Sequence, residues 1–131
     1  MLKRRTTLYF LLLLLVHVAH VFEEVWGRFF LLDKYFGLGW YLIGNWLLIG
    51  IPIFVFYNFL NDKRWAYYLS LIYAYVMIIN GLGHNVMTLL TGKYFDGFAG
   101  GFTGIGLIII GLLFQHNLRK LIKENNNRLT T

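Results

Sequence analysis

Four long apolar stretches, separated by three short polar connections, dominate the sequence. The stretches cover residues 7–28, 40–60, 65–90 and 98–117. A bilayer core about 30 Å thick needs about 20 mostly apolar residues for each crossing helix, and each stretch reaches that length. Only 14% of the residues are charged, too few for a surface that faces water. The pattern therefore predicts an all-α fold, an integral membrane four-helix bundle that forms a single domain over residues 1–131.

The distribution of basic residues predicts how the bundle is oriented. Three lysines and arginines precede the first stretch, two lie between the second and third, and four follow the last, whereas the other side has only Arg28, Lys34 and Lys93. Short loops rich in lysine and arginine stay on the cytoplasmic side of a membrane. Both termini are therefore expected in the cytoplasm, an N-in/C-in topology. Because the positive charges are dispersed, the formal net charge of +6 does not indicate nucleic-acid binding.

Residues 1–20 also fit a secretory signal peptide, with a basic start followed by an apolar run. No clear small-x-small cleavage site closes that run, and His17 and His20 stand where a signal peptide would have small residues. A first transmembrane helix is therefore the favoured interpretation.

The fourth stretch and the residues leading into it contain six glycines between residues 97 and 111. Small-xxx-small spacing recurs at Gly97/Gly101 and Gly100/Gly104, and such spacing lets helices pack closely. Two interpretations stay open. Tight packing within the chain is favoured, and a homodimer through the glycine-rich fourth helix is the alternative.

The first stretch contains five ionisable side chains, which are costly inside a bilayer and need a partner or a function. They are His17, His20, Glu23, Glu24 and Arg28. At about 100° per residue, all except Glu23 share one helix face, whereas Glu23 points toward another neighbour. Glu24 and Arg28 are spaced i,i+4 and are expected to neutralise each other. This polar face is expected to point into the bundle.

The third stretch supplies a matching polar face with Asn80 and His84 one turn apart. The first and third helices run in the same direction, and a rise of 1.5 Å per residue places residues 20–24 and 80–84 at similar depth. We therefore expect the two polar faces to meet in the outer half of the membrane.

This set of side chains predicts a divalent metal site for zinc, iron or manganese, because imidazoles and carboxylates bind these ions and the chain has no cysteine. The predicted ligands are His20, Glu24 and His84. Glu23 is the predicted catalytic acid/base, and the residues expected to support the ligands are His17, Arg28 and Asn80. A metal-free proton or substrate site and a purely structural polar cluster stay open as alternatives.

The run His20-Val21-Phe22-Glu23-Glu24 resembles the motif of the HXXEE family of small bacterial and archaeal membrane proteins. The resemblance covers most of the chain and includes Asn80-x-x-x-His84 and the turn Tyr94-Phe95-Asp96-Gly97, where Asp96 replaces the proline that the family usually has. It implies a prokaryotic cytoplasmic membrane protein with this polar cluster. It implies no reaction, because the function of the family is not established.

A second, weaker resemblance is to CAAX-type intramembrane proteases, whose Glu-Glu-x-x-x-Arg motif is similar to residues 23–28. The likeness stops there, because the Phe-x-x-x-His element of those proteases would need phenylalanine where Asn80 stands.

Three functions follow from these patterns. The leading hypothesis is a metal-dependent membrane enzyme that acts on a lipid-soluble or membrane-embedded substrate. The alternatives are a small carrier, channel subunit or resistance factor that binds a cation or proton, and an accessory protein whose polar cluster only orders the bundle. In each case membrane lipid is the expected surrounding partner.

Overall fold

The computed structural model describes residues 1–29 and 37–127, which form four long α-helices and connecting turns with no strand. The helices are α1 (Leu2–Trp26), α2 (Gly37–Leu60), α3 (Arg64–Thr91) and α4 (Gly101–Asn127). All four are long and apolar enough to cross a membrane. The prediction of an all-α fold with four apolar helices is therefore confirmed. Lys34 and Arg128, which entered the orientation prediction, lie outside the described residues.

The bounds of α1 and α4 differ from those predicted. Helix α1 begins at Leu2 and ends at Trp26, so Arg28 is not part of it. Helix α4 continues to Asn127, beyond the end of the apolar stretch at residue 117, so its polar last turns are also helical. Hydropathy marks the apolar part of a helix, whereas backbone hydrogen bonding marks its ends.

Helix α2 packs more loosely than the others. Helix α4 packs against both α3 and α1, while α2 makes smaller contacts with α1 and α3. Its buried residues are Pro52, Val55 and Phe59, all in its second half. There Phe59 meets the ring of Phe10 at a centroid distance of 5.5 Å. The first half of α2 therefore stands beside the bundle with no buried side chain.

Helices α3 and α4 approach each other closely at glycines. A Cβ atom added at Gly81 would lie 2.3 Å from the carbonyl oxygen of Gly104, and one added at Gly111 would lie 2.7 Å from Ile78 Cγ1. These contacts match the favoured interpretation that the glycines of α4 serve packing within the chain. A homodimer stays a prediction.

A basic end of the bundle is held together by Lys3. Its ammonium donates hydrogen bonds to the Phe59 carbonyl oxygen at 2.8 Å, to the Tyr67 hydroxyl at 2.8 Å and to the Asp62 carboxylate. The N-terminus and the turn between α2 and α3 therefore lie at one end, together with their lysines and arginines. The hydrogen bond from Lys3, followed by that from Tyr67, lowers the pKa of Asp62.

We expect Lys3→Met to lower the melting temperature in detergent by a few degrees at neutral pH and by less at pH 3. A carboxyl group whose pKa is lower in the folded state stabilises the fold at pH values above its unfolded-state pKa of about 3.9. This stabilisation is lost as the pH falls through the folded-state pKa. Asp62 is largely exposed, so its contribution to the free energy of unfolding is small. Thermal melts at both pH values test this, with the exposed Arg4→Met as the control. An equal loss at both pH values would contradict the assignment.

Candidate metal centre

The centre lies where α1 meets α3, at the end of the bundle opposite Lys3. Helix α1 presents His20 and Glu24 one turn apart, and α3 presents His84. Glu24 Oε1 lies 2.9 Å from His84 Nε2 and 3.5 Å from His20 Nε2. All three side chains are buried, and one ligand atom from each lies within 4.8 Å of the others. The prediction that the polar groups of the first and third helices meet is confirmed.

Two of the three spacings among these atoms are close to those around a small cation, and all three atoms lie within 4.8 Å of one another. Ligand atoms about 2.1 Å from a tetrahedral metal lie about 3.4 Å apart. The two distances from Glu24 Oε1, 2.9 Å and 3.5 Å, fall on either side of that value. This buried group can therefore hold a metal ion.

The tautomer of His84 follows from its other ring nitrogen. His84 Nδ1 lies 3.3 Å from the carbonyl oxygen of Phe98, an atom that can only accept a hydrogen bond. We therefore place a proton on Nδ1. In the neutral ring, Nε2 then carries the lone pair and faces Glu24. A backbone carbonyl behind a histidine is a common way to orient a metal ligand.

His20 is oriented by a chain of hydrogen bonds that runs away from the centre. His20 Nδ1 lies 2.9 Å from Thr103 Oγ1, and the Thr103 hydroxyl donates to the Glu23 carboxylate. Because that hydroxyl proton is already used, Thr103 accepts a hydrogen bond from His20 Nδ1–H. In the neutral ring, His20 Nε2 then carries the lone pair and points toward Glu24.

His20 Nε2 is the atom that most favours a cation here. Within residues 1–29 and 37–127 it is buried and has no hydrogen-bond partner. Buried polar atoms are nearly always paired, and a lone pair that faces a carboxylate oxygen lacks a positive partner. A metal ion between His20, Glu24 and His84 would satisfy all three ligand atoms together.

Helix α2 contributes Tyr41, whose hydroxyl donates to Glu24 Oε2. This hydrogen bond occupies one carboxylate oxygen and leaves Oε1 to the two histidines. The sequence interpretation did not include Tyr41. The available signal was its i,i+4 spacing with Asn45 on an otherwise apolar part of α2.

The close approach of the chain before α4 requires Gly100. It has a φ of +122°, a conformation that residues with a Cβ atom rarely adopt. A Cβ atom there would lie 2.7 Å from both His20 Cε1 and His84 Nδ1. Gly100 was predicted only as a packing glycine, whereas the structure places it against both imidazoles.

Glu23 faces α4 rather than the metal centre. Its carboxylate accepts hydrogen bonds from the backbone N–H groups of Phe102 at 2.9 Å and Thr103 at 2.7 Å, and from the hydroxyls of Thr103 and Tyr94. A carboxylate has about four acceptor positions, so these donors fill them. Glu23 therefore caps the first turn of α4, and these contacts do not support the predicted role as acid/base.

Tyr94 belongs to the turn between α3 and α4. Burial, followed by its hydrogen bond to Glu23, raises the pKa of Tyr94 to about 12. The phenol therefore keeps its proton at neutral pH and remains a donor to Glu23. This pairing links the turn to α1.

The three predicted supporting residues have different surroundings. His17 is buried with its Nδ1 3.1 Å from the Tyr73 hydroxyl, and Asn80 lines a cavity beside Glu24. Arg28 is exposed and lies 3.8 Å from Asp96. The prediction that Arg28 neutralises Glu24 is wrong. Helix α1 ends at Trp26 and Arg28 has a φ of +53°, so the helical i,i+4 spacing does not apply.

Asp96 suits the turn that it occupies. Its φ is +54°, and its N–H donates to the Gly27 carbonyl oxygen at 2.9 Å. Proline has no N–H and a fixed negative φ, so it could provide neither feature. Asparagine and aspartate tolerate the left-handed region better than most residues.

We expect Thr103→Val to weaken metal binding about 10- to 100-fold without abolishing it, because the predicted ligand His20 loses the acceptor that orients it. Metal affinity should be measured by competition with a fluorescent chelator at fixed pH. Thr7→Val is the control, since within the described part of the chain its hydroxyl bonds only to the Lys3 carbonyl of the same helix. Wild-type affinity in Thr103→Val would contradict the orientation of His20 described above.

No family model, curated protein or solved structure matches the chain. The resemblance to HXXEE proteins stays a prediction based on its motif residues.

Proposed function

We propose that this chain is a metal-dependent enzyme of the prokaryotic cytoplasmic membrane that acts on a lipid-soluble or membrane-embedded substrate. His20, Glu24 and His84 bind a divalent zinc, iron or manganese ion. The observation that carries the proposal is the buried His20 Nε2, which has no hydrogen-bond partner among the described residues and lies beside Glu24 and His84. The sequence spacing of His20, Glu23 and Glu24 is what supports membership of the HXXEE family in this proposal.

The membrane setting is part of the same proposal. The four helices expose long rows of leucine, isoleucine, valine and aromatic side chains, which a water-soluble protein would rarely show over so large an area. Lys3, Lys63, Arg64 and the lysines and arginines of α4 lie at the end opposite the metal centre. By the positive-inside rule both termini face the cytoplasm and the centre lies in the outer half of the membrane.

The donor set favours catalysis over a structural metal. Structural zinc sites usually have four protein ligands, whereas catalytic sites have three and keep one position open. A divalent ion bound here would act as a Lewis acid. Each proposed ligand is oriented by a hydrogen bond. The bonds join Tyr41 to Glu24, the Phe98 carbonyl to His84, and Thr103 to His20. Glu23 acts in this scheme as a positioning residue through Thr103.

A lipid-conversion assay tests the proposal. Wild-type protein and His84→Gln are reconstituted in liposomes made from total lipid extract, and the lipids are compared by mass spectrometry with and without a chelator. We expect wild type to convert a lipid species, and we expect chelator or the substitution to abolish that conversion. Identical lipid profiles under all conditions would contradict an enzymatic role.

A proton- or cation-coupled carrier is the second candidate. The observation that favours it is the 2.9 Å contact between Glu24 Oε1 and His84 Nε2, which forms a complete ion pair when the imidazole is protonated. This candidate predicts ion-driven flux in liposomes that is lost in Glu24→Gln. Absence of flux under proton and cation gradients would exclude it.

A further inference from the structure

Helix α2 has two halves that are attached to the bundle to different extents. In the second half, residues 52–60, the side chains of Pro52, Val55 and Phe59 are buried, and Lys3 donates a hydrogen bond to the Phe59 carbonyl oxygen at 2.8 Å. In the first half, residues 37–51, no side chain is buried. Segments with few buried apolar contacts open at a smaller free-energy cost than the rest of a protein. The first half of α2 is therefore the part of this helix that can leave the bundle most easily.

Two cavities flank the first half of α2. A polar cavity of about 400 Å³ lies between α1, α2 and α3, and its wall includes Glu24 and Asn80. An apolar cavity of about 510 Å³ lies between α1 and α2, and its wall includes the exposed side chains of Phe22 and Trp46. Asn45 lines both cavities. The turn of α2 at Asn45 therefore stands between the side of the candidate centre and an apolar groove that faces lipid in the proposed membrane arrangement.

A single hydrogen bond joins the first half of α2 to another helix among residues 1–29 and 37–127. The Tyr41 hydroxyl donates it to Glu24 Oε2. The Asn45 amide donates instead to the Tyr41 carbonyl oxygen within α2 itself, at 3.0 Å. Because the bond from Tyr41 ends on the carboxylate that faces His20 and His84, breaking it frees α2 from the candidate centre.

Pro52 lies at the boundary between the two halves. Proline has no N–H group, so it cannot donate to the Leu48 carbonyl oxygen one turn earlier, and its ring crowds that carbonyl. Sharp bends of helices occur mostly at such positions. Since Pro52 itself is buried, a bend here would move residues 37–51 and leave residues 52–60 in place.

We infer that the first half of α2 is a lateral gate. It swings about Pro52, breaks the hydrogen bond between Tyr41 and Glu24, and opens the candidate centre to the bilayer between α1 and α2. A membrane-embedded molecule then reaches Glu24 from the apolar cavity without passing through water. The gate goes beyond the proposed function, because it would serve an enzyme and a carrier alike and needs no bound metal.

Double electron–electron resonance in nanodiscs tests the gate, and the chain has no cysteine of its own to interfere with spin labelling. Labels on Gly39→Cys and Leu89→Cys, both at exposed positions, report on the first half of α2. Labels on Leu60→Cys and Lys120→Cys, also exposed, report on the second half. Tyr41→Phe should raise the ratio of long to short distances for the first pair about tenfold, the size expected for loss of a hydrogen bond to a charged group. The distances of the second pair should not change.

Tyr57→Phe is the matched control, because Tyr57 is an exposed tyrosine in the second half of α2, and it should leave both distance distributions unchanged. Pro52→Ala restores the missing N–H donor, so adding it to Tyr41→Phe should return the first distribution toward that of wild type. The gate is overturned if Tyr41→Phe leaves the first distribution unchanged, if both pairs change equally, or if Pro52→Ala has no effect. A distance between chains that carry only the Gly39→Cys label would place a second copy against this half of α2 and would also overturn it.

The reaction of a buried position with a lipid-soluble maleimide tests whether the movement opens a path. His17 lines the polar cavity and is only 2% exposed, whereas Met1 aside, Leu15 of the same helix is 57% exposed. Tyr41→Phe should accelerate the reaction of His17→Cys about tenfold, because the rate follows the open population, and should not change that of Leu15→Cys. Equal rates for His17→Cys with and without Tyr41→Phe would overturn the gate. Neither measurement requires metal, so a failed metal centre and a failed gate give different results.

Discussion

Glu24→Gln is expected to remove the metal from the purified protein. In the proposed centre Glu24 supplies the one charged ligand atom, and its Oε1 lies 2.9 Å from His84 Nε2 and 3.5 Å from His20 Nε2. A neutral amide is a poor ligand for zinc, iron or manganese, so the metal content should fall from about one ion per chain to less than about 0.1. Elemental analysis of protein purified in detergent without chelator measures this directly. His84→Gln should give a similar loss.

The control for this loss is His116→Gln. His116 is an exposed histidine of α4 that lies outside the group of His20, Glu24 and His84. Its substitution should leave the metal content unchanged, which would exclude adventitious binding to surface histidines. Retention of a full complement of metal by Glu24→Gln, or an equal loss in His116→Gln, would remove the basis of the proposed centre. Melting temperatures of all variants show whether the fold is kept.

Gly81→Ala is expected to destabilise the bundle by about 1 to 3 kcal/mol, the usual cost of overpacking a close contact. The new Cβ would lie 2.3 Å from the Gly104 carbonyl oxygen, and a backbone atom cannot move away as a flexible side chain can. Helices α3 and α4 would have to separate at the level of the centre. Unfolding by heat or by denaturing detergent measures the loss.

Gly83→Ala is the matched control on the same helix. Nothing in residues 1–29 and 37–127 lies within 4 Å of a Cβ atom added at Gly83, so alanine there should keep or raise the stability through its better helix propensity. Equal effects of the two substitutions would show that the contact between α3 and α4 is looser than described. A loss confined to Gly81→Ala supports it.

The fold was predictable because a bilayer-length helix needs a long apolar run, and the chain has four of them. The meeting of His20, Glu24 and His84 was predictable for a related reason. Helices one and three of a bundle with short connections run in the same direction, so equal distances along them give equal depth. The prediction needed only helix geometry, because these three residues lie inside regular helices.

The surroundings of the centre were less predictable, because they depend on helix ends and turns. Arg28 was placed on the helical face with Glu24, but α1 ends before it. The positive φ of Gly100 belongs to the turn before α4, and periodicity does not describe a turn. Glu23 was correctly placed on a different face from Glu24. The groups that face it, the first N–H groups of α4, are backbone atoms that a sequence does not reveal.

Tyr41 shows that contacts between helices are also hard to predict from the sequence. Apolar periodicity indicates that α2 is a helix but gives little information about its rotation, since nearly all its side chains are apolar. Its hydroxyl reaches Glu24, so α2 comes close to α1 at this level although the first half of α2 has no buried side chain. Only the three-dimensional arrangement identifies this partner of the carboxylate.

Anomalous X-ray diffraction at the absorption edge of the bound metal tests the central claim most directly. Crystals of wild-type protein purified without chelator are predicted to show one peak between α1 and α3. It should lie about 2.0 to 2.2 Å from His20 Nε2, His84 Nε2 and Glu24 Oε1. The absence of a peak at this position, or a peak only at histidines elsewhere on the chain, would contradict the account.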